Sequence, residues 1–299
     1  MTISNLVGNT YLERGSPSTL FYVDSEIIYI IDPGQGDDRP RQLRRDLEKL
    51  PKKEVAVFLT HYHSDHLSAL EKLQEVKSIA ISSVDAPMAR NPELRVAMTF
   101  NYPLNPQDSI LSFHGPAVGV TDELPVTSNR YGPLTLVPLP GHTDGQMGVM
   151  TPDGVLYAGD SLFGDRVLSK YGVPYHRVPC MALESLKRLE DLASKAELIV
   201  PSHGPVVRAG DAVGLIEANM QRISDAMSAL EEALQRPSGT SELVSILLKK
   251  YRPEELSADV IMLLEATVKG YIRCLREGGK VEALASDAGI AWKLKAASP

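Results

Sequence analysis

Three of the chain's seven histidines fall within one heptapeptide, Thr60-His61-Tyr62-His63-Ser64-Asp65-His66. It follows Val55-Ala56-Val57-Phe58-Leu59, a continuous apolar run short enough for a buried strand. On the turn that leaves such a strand, His61 and His63 can face one point, while Asp65 and His66 turn with the start of a helix. Imidazole nitrogen and carboxylate oxygen are the ligands of zinc and similar borderline cations. Two further histidines stand in glycine-flanked turns after expected strands, in Pro140-Gly141-His142-Thr143 and Ser202-His203-Gly204. Ala158-Gly159-Asp160-Ser161 ends another strand and offers a carboxylate. Glycine lets the backbone turn sharply and approach a site closely. Five histidines and two aspartates thus sit at four expected strand ends. The fold must bring those ends together if they are to share a cation.

The rest of the chain alternates strands and helices. Leu20–Val23 and Ile27–Ile31 read as strands joined by a turn at Asp24-Ser25-Glu26, and Asp32-Pro33-Gly34 ends the second. Leu43, Leu47 and Leu50 predict a helix within 37–50. Leu67, Leu70 and Leu73 predict another, with Ser64 or Asp65 as its N-cap. Strands are expected at 78–82, 117–120, 134–139, 147–150 and 154–158, a helix at 181–194, and a short strand ending at Ile199-Val200. The Pro- and Asn-rich stretch 86–116, with Phe100 and Tyr102, reads as a long irregular excursion, and 164–180 as another loop. After residue 210 the chain turns Ala-, Leu- and Glu-rich, with helices expected at about 211–236, 240–250 and 257–277. Lys280–Leu284 and Ile290–Leu294 then form a hairpin, the outline of a winged helix. Two domains follow, 1–210 and 211–299.

Composition removes several classes. With 43% hydrophobic and 23% charged residues the chain of 299 is not disordered. A net charge of −7 disfavours a strongly basic nucleic-acid binder. Residues 211–299 hold 11 Lys and Arg against 13 Asp and Glu, so the C-terminal region is not basic either. Two cysteines, Cys180 and Cys274, exclude a disulfide framework and a Cys-rich zinc site, and Cys180 reads as an ordinary buried thiol. The start lacks the basic and apolar segments of a signal peptide, and no apolar run approaches the ~20 residues of a membrane span. The expectation is a soluble cytoplasmic protein with no membrane partner, and a homodimer is the default assembly.

The pattern HxHxDH followed by a distant His, Asp and His resembles the metallo-β-lactamase superfamily. The spacing fits: 76 residues from His66 to His142, 18 more to Asp160 and 43 more to His203. With Asp32 after the early strand, the resemblance covers five motifs and residues 1–210. It implies an α/β fold of αββα type, a four-layer sandwich with metals at one edge between the sheets. It also implies a metal-dependent hydrolase with two divalent ions that share a hydroxide, which attacks a thioester, ester or lactone carbonyl of a small molecule. Carried over, His61, His63 and His142 resemble the first ion's ligands, Asp65, His66 and His203 the second's, and Asp160 the bridge. Asp65 is also the expected catalytic residue, orienting the nucleophile or passing a proton to the leaving group. Asp32 resembles a structural aspartate that bonds behind the metal loop. Zinc is the expected ion, and iron or manganese suit the same ligands.

The β-lactamases themselves commonly carry a cysteine where this chain has Asp160, which directs the resemblance to the glyoxalase II-like and RNase-like branches. Flavodiiron oxygen reductases carry a glutamate at the position of His63 and a flavodoxin domain; both features are missing. The C-terminal outline resembles the winged-helix-like domain of the β-lactamase-like protein 2 branch, whose members are linked to RNA cleavage. A phosphodiesterase or endoribonuclease acting on RNA is therefore the first alternative, and a one-iron redox enzyme such as a persulfide dioxygenase the second. Within 164–180, Tyr171, Tyr175, His176 and Arg177 are the candidates for substrate contact. Tyr62 reads as packing and His114 as a surface residue.

Overall fold

Alternate residues of the early strands enter two different apolar layers, which is why those strands show no polar face. The computed structural model describes residues 3–51, 53–73, 75–100, 113–254, 256–287 and 289–296. A first sheet runs β1 (Ser4–Val7), β2 (Thr10–Glu13), β3 (Thr19–Val23), β4 (Ile27–Ile31), β5 (Glu54–Phe58), β6 (Val76–Ser82) and β7 (Asp122–Leu124) in spatial as in chain order. It is antiparallel up to β4 and parallel from there on. A second sheet contains β8 (Arg130–Tyr131), β9 (Leu134–Pro138), β10 (Met147–Met150), β11 (Val155–Phe163), β12 (Leu198–His203) and β13 (Val207–Arg208), in reverse chain order. Only β11 and β12 run parallel in it.

Leu20, Tyr22, Ile31 and Phe58 of the first sheet meet Leu134, Leu136, Val149 and Tyr157 of the second in the layer between them. Phe21, Ile28, Ile30 and Val57 face the other way, against Leu43 of α1 (Arg39–Leu47), Leu67 of α2 (Ser64–Leu67) and Met88 of α3 (Ala86–Arg90). The outer face of the second sheet, with Leu156, Ala158 and Ile199, packs on Leu186 and Leu189 of α6 (Pro179–Ala193) and on α7 (Ala212–Ala233). The result is the expected four-layer αββα sandwich, in which each sheet buries both faces. The same apolar cluster continues into α8 (Thr240–Tyr251) and α9 (Ala258–Glu277). A small sheet of β14 (Ser238–Gly239), β16 (Gly289–Leu294) and β15 (Val281–Ser286) completes the C-terminal layer. The three C-terminal helices and the hairpin fall where expected. Ser257 caps α9, its hydroxyl accepting from the Val260 N–H at 3.4 Å.

Several expectations are corrected. Residues 86–100 are not irregular but form α3 and α4 (Pro92–Phe100). Prolines in the first turns, Pro87 and Pro92, start these helices rather than break them. The remainder of that stretch, 101–112 with Tyr102, lies outside the described residues. No strand forms at 117–120; Val118 and Val120 turn into the helix-side core, and β7 begins at Asp122. Segment 164–180 contains α5 (Asp165–Tyr171). Residue His63, in extended conformation, precedes α2 in place of the expected Ser64 or Asp65 cap.

The two cysteines are also not free thiols. Cys180 in the first turn of α6 is disulfide-bonded to Cys274 near the end of α9, with Cα atoms 6.0 Å apart. The spacing of 94 residues hid the pairing, because only the packing of α9 on α6 brings them together. Disulfides persist in oxidising compartments and are rare in a reducing cytosol. Among the described residues no helix is long and apolar enough to cross a membrane. A loop of this size predicts that Cys274→Ser lowers the unfolding free energy by about 2–4 kcal/mol in a denaturant titration without reductant. Dithiothreitol should reproduce that loss in the natural chain and add nothing in the variant.

Candidate metal centre

The candidate ligands come from both sheets and meet where the sheets open at one edge. His61, His63, Asp65 and His66 follow β5 and begin α2; His142 follows β9; His203 ends β12. Asp160 lies inside β11 rather than at its end, and the strand continues to Phe163 with its register broken around Gly159. Gly141, at φ +134°, lets the His142 turn pass against α6: a Cβ there would stand 2.3 Å from the backbone nitrogen of Ala182.

Two groups of donor atoms result. Nε2 of His61 lies 3.0 Å from Nδ1 of His63, which lies 2.8 Å from Nε2 of His142. Nε2 of His203 lies 3.1 Å from Asp65 Oδ2, and that oxygen lies 3.7 Å from Nε2 of His66. Asp160 stands between the groups. Its Oδ1 is 3.2 Å from Nε2 of His66, and its Oδ2 is 3.3 Å from His142 and 3.6 Å from His203. In each group the donor atoms all lie within 4.8 Å of one another.

Hydrogen bonds behind the rings decide which nitrogen faces inward. Asp32 accepts from the Thr60 N–H at 2.8 Å and from the Thr60 hydroxyl at 2.6 Å. Having donated its proton there, the hydroxyl can only accept from Nδ1 of His61, 3.0 Å away, which leaves His61 Nε2 as a lone pair. The Tyr175 carbonyl accepts from Nδ1 of His142 at 2.9 Å and does the same for that ring. Nδ1 of His66 is 2.7 Å from Asp32 Oδ2, and Nδ1 of His203 is 2.8 Å from the Ser16 hydroxyl. The Ser202 hydroxyl donates to Asp160.

Lone pairs facing one another at such distances repel unless a proton or cation lies among them. Burial pushes His61, His63 and His142 below their ordinary values, and neighbouring imidazoles push the first two well below. The three rings are therefore neutral donors, and a buried set of neutral imidazole nitrogens converging on one point fits a cation. In the second group burial also opposes charge on His66 and His203, but Asp160 and Asp65 outweigh it and raise both. The same imidazoles overcome burial at the carboxylates, holding Asp160 well below its ordinary value and Asp65 at about 2.

Asp32 itself sits at φ +51°, a left-handed conformation that aspartate tolerates better than most residues. Its backbone N–H donates to Phe58, and its carbonyl accepts from the Thr19 hydroxyl at 2.6 Å. Arg39, buried against Glu13 at 2.8 Å, also donates to Thr19 and to the Pro33 carbonyl. Since His66 and Thr60 already occupy its carboxylate, Asp32 stands behind the donor groups. Asp85 braces the other side: it accepts from the Thr143 hydroxyl at 2.6 Å and from the Gly145 N–H at 3.0 Å. Complete burial raises its pKa to about 7, against the opposing effect of those hydrogen bonds.

A cavity of about 940 Å³ opens in front of His63, Asp65, His142, Asp160 and His203. Of the four candidates for substrate contact, Tyr171 and Tyr175 line it. His176 and Arg177 do not. His176 is buried beside His142 and Phe163, with ring centroids 6.0 and 5.8 Å away. Arg177 donates to Asp144 at 2.6 Å and to the Met98 carbonyl at 2.7 Å. Tyr62 is buried, as expected for packing, and His114 is partly buried rather than on the open surface. Ser16 and Asp85 were not foreseen from the sequence, whereas a contribution of the C-terminal region to the cavity wall was expected and is made by α9. Asp85 had one visible signal, an acid between an apolar strand and a helix; Ser16 had none.

A family model described as the metallo-beta-lactamase superfamily matches residues 12–203. The chain belongs to that superfamily. Hydroxyacylglutathione hydrolase of Bartonella henselae is 27% identical over 145 residues, 48% of this chain and 46% of that one. The chain thus spans about half the length of this curated relative. A probable metallo-hydrolase of Streptococcus pyogenes serotype M6 is 24% identical over 210 residues, covering 68% of this chain and 86% of that one. A superfamily protein of known structure from Thermus thermophilus superposes with a TM-score of 0.68 at 19% identity, over 96% of this chain and 99% of that one. A beta-lactamase domain protein from Burkholderia ambifaria gives 0.70 at 15% identity, over 98% and 95%. At these identities the likeness is one of fold, and it extends through the C-terminal layer.

Two outcomes are expected. Asp32→Ala should weaken zinc binding about 10–100-fold in a chelator competition, because His66 loses the partner that orients it. Asp85 gives a signed pH dependence. Its raised folded pKa means that stability from its protonated form is complete below about pH 4 and lost as pH rises through about 7. Relative to Asp85→Asn, the natural metal-free protein should therefore lose stability between those limits, at up to about 1.4 kcal/mol per unit. A difference that is flat or rising with pH would refute the assignment.

Proposed function

We propose that the chain is a dinuclear metal-dependent hydrolase that cleaves a thioester, ester or lactone carbonyl of a small molecule. The observation that carries this reading is the pair of donor groups that share Asp160 on the floor of one cavity. His61, His63 and His142 would hold one ion, Asp65, His66 and His203 the other, and Asp160 would reach both. Nitrogen-rich donors suit zinc. When bound, such ions supply Lewis acidity and make water a nucleophile at neutral pH.

The protein's own groups have separable tasks. Asp32, Thr60, Ser16 and the Tyr175 carbonyl orient four of the five imidazoles, those of His66, His61, His203 and His142. Asp65, partly exposed and facing the cavity, would take a proton from the attacking water and pass that proton to the leaving group. Tyr175 and Phe163 close the inner wall against bulk water.

Two findings favour carbonyl over phosphodiester substrates. Beyond the donor groups, the charged residues that line the cavity are balanced: Asp165 and Asp259 against Arg166 and Lys170. A groove for an RNA backbone would carry a cationic excess. The similarity to hydroxyacylglutathione hydrolases points the same way. Two full donor groups also favour two ions over the single iron of a redox enzyme. We assign 211–299 as a winged-helix-like unit that covers the cavity and does not read nucleic acid.

The test is a turnover panel on zinc-loaded protein: S-lactoylglutathione, an aryl ester, an acyl-homoserine lactone, a penicillin, a phosphodiester and single-stranded RNA. Carbonyl turnover reduced about 10²–10⁴-fold in Asp65→Asn, with two ions per chain by elemental analysis, is the expected result. Cleavage confined to the phosphodiester or RNA would overturn the reading.

A further inference from the structure

Three apolar side chains in the cavity lining, Val260, Leu263 and Leu264, come from the first two turns of α9, whose N-cap Ser257 and first-turn Asp259 also reach the cavity. Val167 and Val173 come from α5 and the segment after it, and Phe163 lies next to His142, with ring centroids 5.8 Å apart. Apolar side chains therefore continue from the edge of the donor groups to the C-terminal layer. Gln35 and, from α5 itself, Arg166 and Lys170 add polar groups to the same cavity. Leu264 and Val260 are anchored in buried surroundings, while Leu263 is only partly buried and rests on the small cluster around Val96 and Phe100. Ser257 caps this end of α9, and Cys274 ties its other end to α6, so the wall is fixed to the catalytic scaffold.

A volume of about 940 Å³ is at the upper end of pockets that enclose a drug-sized ligand, and far exceeds what a two-carbon acyl group fills. A hydrolytic substrate must place its carbonyl at the donor groups and send two arms outward. In a thioester of a water-soluble thiol the acyl arm is the apolar one, and burying it on an apolar wall is favourable in proportion to its area. The other arm keeps its polar groups toward Gln35, Arg166 and Lys170.

We propose that the first two turns of α9, with Val260, Leu263 and Leu264, form an acyl-chain wall that makes this hydrolase selective for carbonyl substrates bearing an extended apolar acyl group. This rests on the hydrolase reading above and adds the substrate class. Substrate selectivity would then come from the C-terminal layer, while the donor groups come from the sandwich.

The experiment uses zinc-loaded protein and the acetyl, butanoyl, hexanoyl and octanoyl thioesters of N-acetylcysteamine. The expected result is that kcat/KM rises with chain length, by up to about fourfold per methylene while the wall is being covered. Leu263→Ala, checked for folding by circular dichroism and thermal melting, should flatten that dependence, and Val167→Ala should flatten it independently. A second readout needs no turnover: octanamide should bind to the metal-free protein and acetamide should not, by calorimetry. Equal kcat/KM for acetyl and octanoyl substrates, or an unchanged dependence in folded Leu263→Ala, would overturn the wall and leave the hydrolase reading standing. No turnover of these thioesters or of the aryl ester and lactone of the panel above, with octanamide still bound, would overturn the hydrolase reading and leave the wall. No turnover and no octanamide binding would overturn both.

Discussion

One carboxylate organises the centre. Asp32 leaves β4 in a left-handed conformation and places its two oxygens on the Thr60 N–H, the Thr60 hydroxyl and Nδ1 of His66. Those three bonds join the end of β4 to the end of β5, the strand that delivers the heptapeptide. Through Thr60 the same carboxylate determines the tautomer of His61, and directly it orients His66. One ring from each donor group is thus set by a single buried acid. The cost of an ionised group in the interior is offset because both of its oxygens accept hydrogen bonds. The buried Arg39, with Glu13 and Thr19, keeps the turn that carries Asp32 in place.

Charge is distributed unevenly over the two groups. His61, His63 and His142 are buried, neutral donors, with lone pairs aimed at one another. His66 and His203 sit among carboxylates that favour positive charge in the same place. The first group brings neutral imidazole nitrogens to one point, and the second pairs imidazoles with ionised carboxylates, so the two present different charge to an ion. That asymmetry, with Asp160 between, is the physical basis for treating the edge of the sandwich as one centre with two places for an ion. The apolar cluster shared by the second sheet, α6 and α7 then seats the C-terminal layer over the centre. The cavity therefore has donor groups from the sandwich and residues of the first two turns of α9 in its lining.

Much of this was legible in the order of residues. The heptapeptide after an apolar strand, the two Gly-flanked histidines and Asp160 announced a shared centre, because ligand chemistry is local to residue type and turn geometry. The strands from Leu20 to Leu59 were legible because β-branched runs of that length have few other uses. The helices after residue 210 were legible from their periodicity and breakers. What failed was the reading of segments whose partners are remote. Residues 86–100 looked irregular because two prolines suggested breaks, yet each proline occupies a first turn, where no N–H is required. His176 and Arg177 looked equivalent to Tyr171 and Tyr175, although neither lines the cavity.

The residue types and their spacing alone determined which chemistry the chain can support and which strands carry it, though not where each strand ends. Imidazole nitrogen and carboxylate oxygen are cation ligands by residue type. Only the tertiary structure decided which ring nitrogen faces inward, that Asp32 stands behind the donors, that Cys180 meets Cys274, and that α9 supplies the wall of the cavity. Each of those depends on contacts between segments far apart in the chain. Their geometry is set by how the two sheets and the C-terminal helices pack, and no local pattern of residues encodes it.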